Sequence, residues 1–183
     1  MAQCRNVMYP LKLFVFASLF GVITASSPAL GQADTALARR VFAEVNQKLA
    51  SFTQLSIRAV RPAAEYPSEV KAWADRSGVR KLEVNDRDDS GDVVTEYYYA
   101  GGVLVFVLET VKGFTDAGKS VVRNENRQYF LDGTMFKWLG GLDKVATPTV
   151  GTEFRAAQKQ RLASSSFYVK SVTLAMAAKA AKQ

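Results

Sequence analysis

The sequence predicts an α+β fold, an antiparallel β-meander of about six or seven strands with an N-terminal and a C-terminal helix. Three observations lead there. An aromatic–glycine–aliphatic unit is written twice, as "EYYYAGGVLVFVLE" at 96–109 and, thirty-one positions later, as "RQYFLDGTMFKWLG" at 127–140. Both copies centre on a glycine-containing dipeptide, Gly101-Gly102 or Asp132-Gly133, which accepts the positive φ of a two-residue type I′ turn. Stretches with helical spacing of apolar residues flank this region on both sides.

The chain of 183 residues opens with an address rather than with the fold. Arg5 and Lys12 precede an uncharged apolar run from Leu13 to Ile23, and small residues close it in "TASSPALGQA". That is the layout of a secretory signal peptide over residues 1–33, with cleavage after Ala33 and a run too short for a comfortable membrane span. Cys4 precedes the run, so it is not placed as the acylated cysteine of a lipoprotein. The expected mature protein is one α+β domain over 34–183, periplasmic or secreted, with no stable transmembrane anchor. Cleavage leaves 150 residues with 22 basic and 17 acidic side chains, a net charge of +5. These charges are spread singly, not as the basic stripe that nucleic acid requires, so no nucleic-acid partner is expected.

Residues 34–52 form the first helix. Leu37, Val41, Val45, Leu49 and Phe52 recur at three- and four-residue spacing, and Asp34 or Thr35 can cap the start. The meander occupies 53–148. "TQLSIRAV" alternates as a strand, and "RPAAEYP" breaks it. Three hairpins are then expected between Glu69 and Leu139. In the first, "KAWADRSGVRKLEV", Trp73 stands where the tyrosines stand later and the turn runs through Ser77-Gly78; a helix over 68–76 competes with it. "NDRDDSGD" and "KGFTDAGKSVVRNENR" read as polar loops. The C-terminal helix covers 152–182, capped by Thr152, with Phe154, Leu162, Val169, Val172 and Met176 as its apolar stripe and a weak point at Ser164-Ser165-Ser166.

Strict alternation around the two clear turns sorts the side chains into faces. Tyr97, Tyr99, Leu104, Phe106 and Leu108 share one with Gln128, Phe130, Met135, Lys137 and Leu139. Glu96, Tyr98, Val103, Val105 and Val107 share the other with Arg127, Tyr129, Leu131, Phe136 and Trp138. Both faces are apolar and aromatic, unlike a sheet with one wet side. Either a helix covers each face, or the sheet curls on itself, or the second face meets a partner through Tyr98, Arg127, Tyr129, Phe136 and Trp138; Tyr, Trp and Arg are what interface hot spots favour.

Units of the form YYY-x-G-G-x-L-x-F and R-x-Y-F-x-x-G-x-x-x-x-W-L resemble those of secreted bacterial proteins of uncharacterised function, which carry repeated aromatic/Gly β-hairpins between two helices. The resemblance runs from about Glu69 to the C-terminus and is most specific in the two hairpins. It implies an exported bacterial protein and transfers no catalytic residue.

Absent residue types narrow the chemistry. There is no histidine, and the single cysteine leaves with the signal. Histidine-dependent triads, thiol nucleophiles, disulfides and histidine-ligated metals are therefore excluded from the exported form. Asp86, Asp88, Ser90 and Asp92 open like a calcium loop, but position twelve is Tyr97 rather than glutamate, and no metal or cofactor is expected. Gly113 to Ser120 matches G-x-x-x-x-G-K-S without a following helix. Lys137 among apolar neighbours reads as a snorkelling lysine. Glu96 and Glu109 are the only glutamates of the clear hairpins, and nothing in sequence sets a second acid opposite either. The expectation is a non-catalytic module that binds a protein, a glycan or an apolar ligand. The alternatives are a carboxylate-dependent envelope hydrolase and a carrier of a small apolar ligand or lipid.

Overall fold

A computed structural model describes residues 35–62, 65–88, 91–115 and 118–182. The expected export signal lies outside them, as does Asp34. The elements run α1 (Ala36–Gln47), β1 (Thr53–Ala59), β2 (Ser68–Asp75), β3 (Gly78–Asp88), β4 (Gly91–Ala100), β5 (Val103–Phe114), β6 (Ser120–Leu131), β7 (Thr134–Gly140), β8 (Val145–Ala146) and α2 (Thr152–Ala180). The strands form one antiparallel sheet in chain order, β1 to β8. The α+β meander with one helix at each end is therefore the fold. The eighth strand, a two-residue edge, is too short for periodicity to reveal. No helix among the described residues is long and apolar enough to cross a membrane.

The three hairpins form as the turn chemistry dictates. Gly101 and Gly102 take φ of 55° and 81°, and Asp132 and Gly133 take 48° and 77°, the paired positive values of a type I′ turn. The first hairpin turns on Arg76-Ser77, one residue earlier than the sequence reading, because the Asp75 carboxylate accepts the Ser77 backbone N–H at 2.7 Å and fixes the bend. Residues 68–75 are strand, not helix. The two polar "loops" are mostly strand as well: β3 and β4 run through the acidic stretch, and β5 and β6 extend to Phe114 and from Ser120. Gly113 thus lies within a strand, and the G-x-x-x-x-G-K-S match has no phosphate-loop context.

Each hairpin carries the same irregularity. Counting back from the turn, the third pair slips by one residue, giving Trp73↔Lys81, Tyr98↔Phe106 and Tyr129↔Lys137. Arg80, Val105 and Phe136 are the extra residues. Trp73, Tyr98 and Tyr129 are thus equivalent positions, and the repeat is threefold down to its bulges. A bulge inserts one residue and strengthens the local twist.

The bulges correct the facial assignment. Past each one the strict alternation is off by one, so Phe106 and Leu108 share a face with Tyr98, and Val107 with Tyr97. Lys137 and Leu139 fall with Tyr129, and Trp138 moves to the opposite side. A helix covers each face. α1 seats Ala38, Val41 and Val45 on Tyr98, Val105, Phe106 and Tyr129. α2, about 44 Å long at 1.5 Å per residue, crosses the other face. Near its start, Gln158 accepts the Met135 backbone N–H at 3.0 Å. Near its end, Met176 lies beside Leu55. Phe154, Tyr168 and Val172 pack on Leu82, Tyr97, Tyr99, Phe130 and Met135, each buried side chain contributing about 1.5–3 kcal/mol. Gly151, not Thr152, caps α2.

α2 runs unbroken through the serines at 164 and 165, which face inward. Ser165 Oγ lies 2.8 Å from the Tyr99 hydroxyl, giving a buried phenol its partner where a larger side chain would hold the helix off the sheet.

Candidate functional site

Under α1 the polar groups serve to hold the helix down. The Lys81 side chain is 5% exposed and ion-pairs with Glu96. Its Nζ donates to Asn46 Oδ1 at 3.2 Å and sits 5.1 Å and 5.4 Å from the ring centroids of Tyr98 and Trp73. Asn46, on the last turn of α1, also donates to the Tyr98 hydroxyl at 3.1 Å. A buried cation survives only with a counter-charge and full hydrogen bonding; β4 supplies the first through Glu96, and α1 part of the second through Asn46.

The five residues singled out from the sequence therefore do not make one surface. Tyr98 is wholly enclosed beneath α1 at 0% exposure. Tyr129 is buried, while Phe136 and Arg127 are half-buried on the same face. Trp138 lies on the α2 face and pairs in register with Gln128, not with Arg127, whose partner is Leu139.

The α2 face carries a cleft of about 370 Å³. Its floor is the far end of β3, β4 and β5, beyond the apolar core. Asp86, Thr95, Tyr97 and Glu109 point into the space that α2 closes from one side with Arg161 and Tyr168, and Arg61 and Tyr66 come from the β1–β2 connection. Two guanidinium–carboxylate pairs organise it. In the deeper one, Arg161 donates through Nη2 to Glu109 and through Nε to Gln128 Oε1 at 2.9 Å. In the shallower one, Arg61 Nη2 lies 3.5 Å from Asp86, and Nη1 donates to Ser164 Oγ at 3.4 Å. The two differ in exposure: 14% and 15% for Arg161 and Glu109, against 31% and 37% for Arg61 and Asp86.

Supporting contacts fix these groups. Ser68 donates its only hydroxyl proton to Asp86, so the 2.8 Å contact between Ser68 Oγ and Tyr168 makes the phenol the donor. The Arg61 guanidinium sits 5.9 Å from the Tyr168 ring centroid. Glu109 accepts from Asn126 at 2.9 Å, and Asn126 in turn accepts from Trp138 Nε1 at 3.3 Å. Trp138 thus acts two bonds away from the cleft, as a positioning residue for its deeper carboxylate.

Burial holds the Tyr97 hydroxyl up to about 12 against the pull of the nearby Arg161 charge. It stays a neutral donor at any physiological pH. Burial works against the Arg161 charge too, but Glu109 and Tyr97 outweigh it and hold its value above the ordinary one. Tyr168 is raised, again through burial first.

Sequence reasoning singled out Glu109 and the acidic stretch around Asp86 but did not join them. Asp86 and Asp92, which share the calcium-like spacing, lie on opposite faces: Asp86 on Ser68 and Arg61, Asp92 on Arg87. Arg61, Arg161 and Tyr168 were not singled out. A signal for two of them was present. Arg161, Ser164, Ser165 and Tyr168 continue the buried stripe of α2 between Phe154 and Val172 at helical spacing, a polar insert in an apolar seam.

No family model, curated protein or solved structure matches the chain.

Proposed function

We propose that the protein is an exported, non-catalytic binding module whose cleft between α2 and the sheet takes a neutral, hydroxyl-rich ligand, a sugar unit of a glycan. The observation that carries this reading is the charge-balanced lining. A guanidinium offers five N–H donors and a carboxylate about four lone pairs, and each pair uses only part of that capacity on itself. Hydroxyl groups both donate and accept, so they bridge the remaining sites without breaking either pair. A charged ligand would have to displace one partner and leave the other half-buried and uncompensated. Tyr66, 62% exposed at the mouth, offers a ring for the apolar face of a sugar. The volume is at the small end of the range of about 300–1,000 Å³ for ligand pockets, enough for one sugar unit and part of the next. Export is supported by the layout of residues 1–33 and by the thiol-free mature sequence.

A second reading has one observation in its favour. Asp86 and Glu109 line the same cleft with one strand between them, about 10 Å across the sheet and two residues out of register, so the cleft holds two carboxylates, as a carboxylate-dependent hydrolase does. Against it, each carboxylate is taken up by a guanidinium, and Asp86 by Ser68 besides, so neither is placed as a proton donor to a glycosidic oxygen.

One experiment separates the two. Neutral oligosaccharides, such as chitobiose and maltotriose, are titrated calorimetrically into the wild type and into Arg61→Met and Tyr66→Ala, and the mixtures are then analysed for cleavage. Saturable binding by a neutral sugar, weakened about tenfold by either substitution and with no products, is the expected result. Cleavage that Glu109→Gln abolishes would establish the hydrolase instead. Indifference to a broad panel of neutral sugars would overturn both readings.

A further inference from the structure

On the opposite face a second site takes shape beside α1. A groove of about 150 Å³ runs between that helix and strands β5 and β6. Phe106, Leu108 and Tyr129 make its floor, Phe42 its wall, and Arg39 and Arg127 its rim. The aromatic rings are held rigidly. Phe106 lies 5.1 Å from Tyr129 and meets Phe42 edge-on at 5.9 Å, and Tyr129 is 6.3 Å from Phe136. Phe42 nevertheless keeps 36% of its surface exposed, so the helix leaves an apolar wall uncovered along the groove.

Cationic side chains stand at the edge of this apolar space. Arg127 is on its rim, and Lys137 Nζ lies 5.9 Å from the Tyr129 ring centroid. Glu125 accepts from Arg127 Nε at 2.8 Å, and a planar guanidinium has two further nitrogens to offer.

We infer that this groove binds a small anionic amphiphile: one aromatic ring or a short acyl tail bearing a single carboxylate. The apolar part lies on Phe106, Leu108 and Tyr129, and the carboxylate meets Arg127 at the rim. A cavity of comparable volume, about 150 Å³, accommodates benzene in a protein core, so one ring fills the groove and anything longer extends into solvent. A charge-assisted contact to a guanidinium is about twice as strong as a neutral hydrogen bond, which is why a carboxylate is selected over an alcohol. The sheet separates this groove from the cleft, and the inference stands independently of what the cleft binds.

The test is a titration of the unmodified protein with four probes, followed by shifts of the Phe106, Leu108 and Tyr129 resonances. Benzoate carries ring and charge, benzyl alcohol the ring alone, benzylamine the ring with the wrong charge, and acetate the charge alone. Benzoate should bind saturably and about tenfold more tightly than the other three. Arg127→Gln should bring benzoate down to the level of benzyl alcohol, and Leu108→Trp, which fills the groove, should abolish the shifts. Equal binding of benzoate and benzyl alcohol would reduce the groove to a packing gap. Equal binding of benzoate and acetate would reduce it to a cationic surface, and no saturable shift with benzoate would remove the site. Each of these three results overturns the inference, and none of them bears on sugar binding in the cleft.

Discussion

The two faces of the sheet solve the same problem differently. Each must be covered by a helix, and each buries a salt bridge and several tyrosines. Under α1, a helix of 12 residues, the polar groups are consumed in fixing that helix: Lys81 is spent on Glu96 and Asn46, and Tyr98 on Asn46. Under α2, 29 residues long, only half the face is apolar. Beyond the core the helix presents Arg161 and Tyr168 instead of leucines, and the sheet answers with Glu109, Asp86 and Thr95 across open space. The difference teaches where to look for function. Polar groups that are fully used by the fold hold it together, whereas a cluster with donors and acceptors to spare, beside a cavity, has something left for a ligand.

The largest effect expected from this arrangement comes from base. Tyr97, Tyr98, Tyr99 and Tyr168 all have their hydroxyls held above the ordinary value of 10, with burial the first cause in each and Tyr97 reaching about 12. A raised folded value means that the folded protein holds its phenol protons more tightly than the unfolded chain. Their contribution is therefore intact below pH 10 and is lost as pH rises from 10 to about 12 and beyond. Each tyrosine steepens the fall by up to about 1.4 kcal/mol per pH unit. Denaturant midpoints measured from pH 8 to 12 should collapse cooperatively above 10, and Tyr97→Phe should remove one proton from the slope. A midpoint flat to pH 12 would mean that these phenols are not enclosed.

Next in size is the buried pair of the α1 face. Lys81→Met strands the Glu96 carboxylate under α1 and should cost about 3–5 kcal/mol. The double substitution Lys81→Met, Glu96→Leu removes both charges and should recover most of that loss, because the desolvation of the ions disappears with them. Chemical denaturation of the single and double variants decides it. A single variant as stable as the wild type would place that pair in water.

These comparisons also mark how far the sequence could be read. The turns were legible because Gly101-Gly102 and Asp132-Gly133 need backbone conformations that few other residues tolerate. The helices were legible because Val41 and Val45, or Phe154 and Val172, keep helical spacing. The faces were legible only as far as the bulges. Nothing in "YYYAGGVLVF" announces that Val105 is an extra residue, and a one-residue slip sends every later side chain to the other face. That is why Trp138 was grouped with Tyr129, although it lies across the sheet on Asn126. The cleft was the least legible feature. Arg61, Asp86, Glu109 and Arg161 come from four separate segments, and only the order of the strands and the course of α2 bring them together.

The smallest effect sharpens the contrast between the faces most. Arg61→Met removes a charge from the α2 face just as Lys81→Met does from the other, and it also leaves a carboxylate behind. Asp86, however, stays 37% exposed at the cleft mouth and keeps its hydrogen bond from Ser68. Water reaches it, so the loss should stay below about 1 kcal/mol, as for other solvent-accessible pairs. The methionine also preserves most of the length of the Arg61 aliphatic stem. Thermal melts should place this variant within a few degrees of wild type, while sugar titrations show the cleft weakened. A cost near that of Lys81→Met would show instead that the Arg61–Asp86 end is part of the core. The two faces would then be alike, and the cleft would be a seam in the packing rather than a place kept open for a ligand.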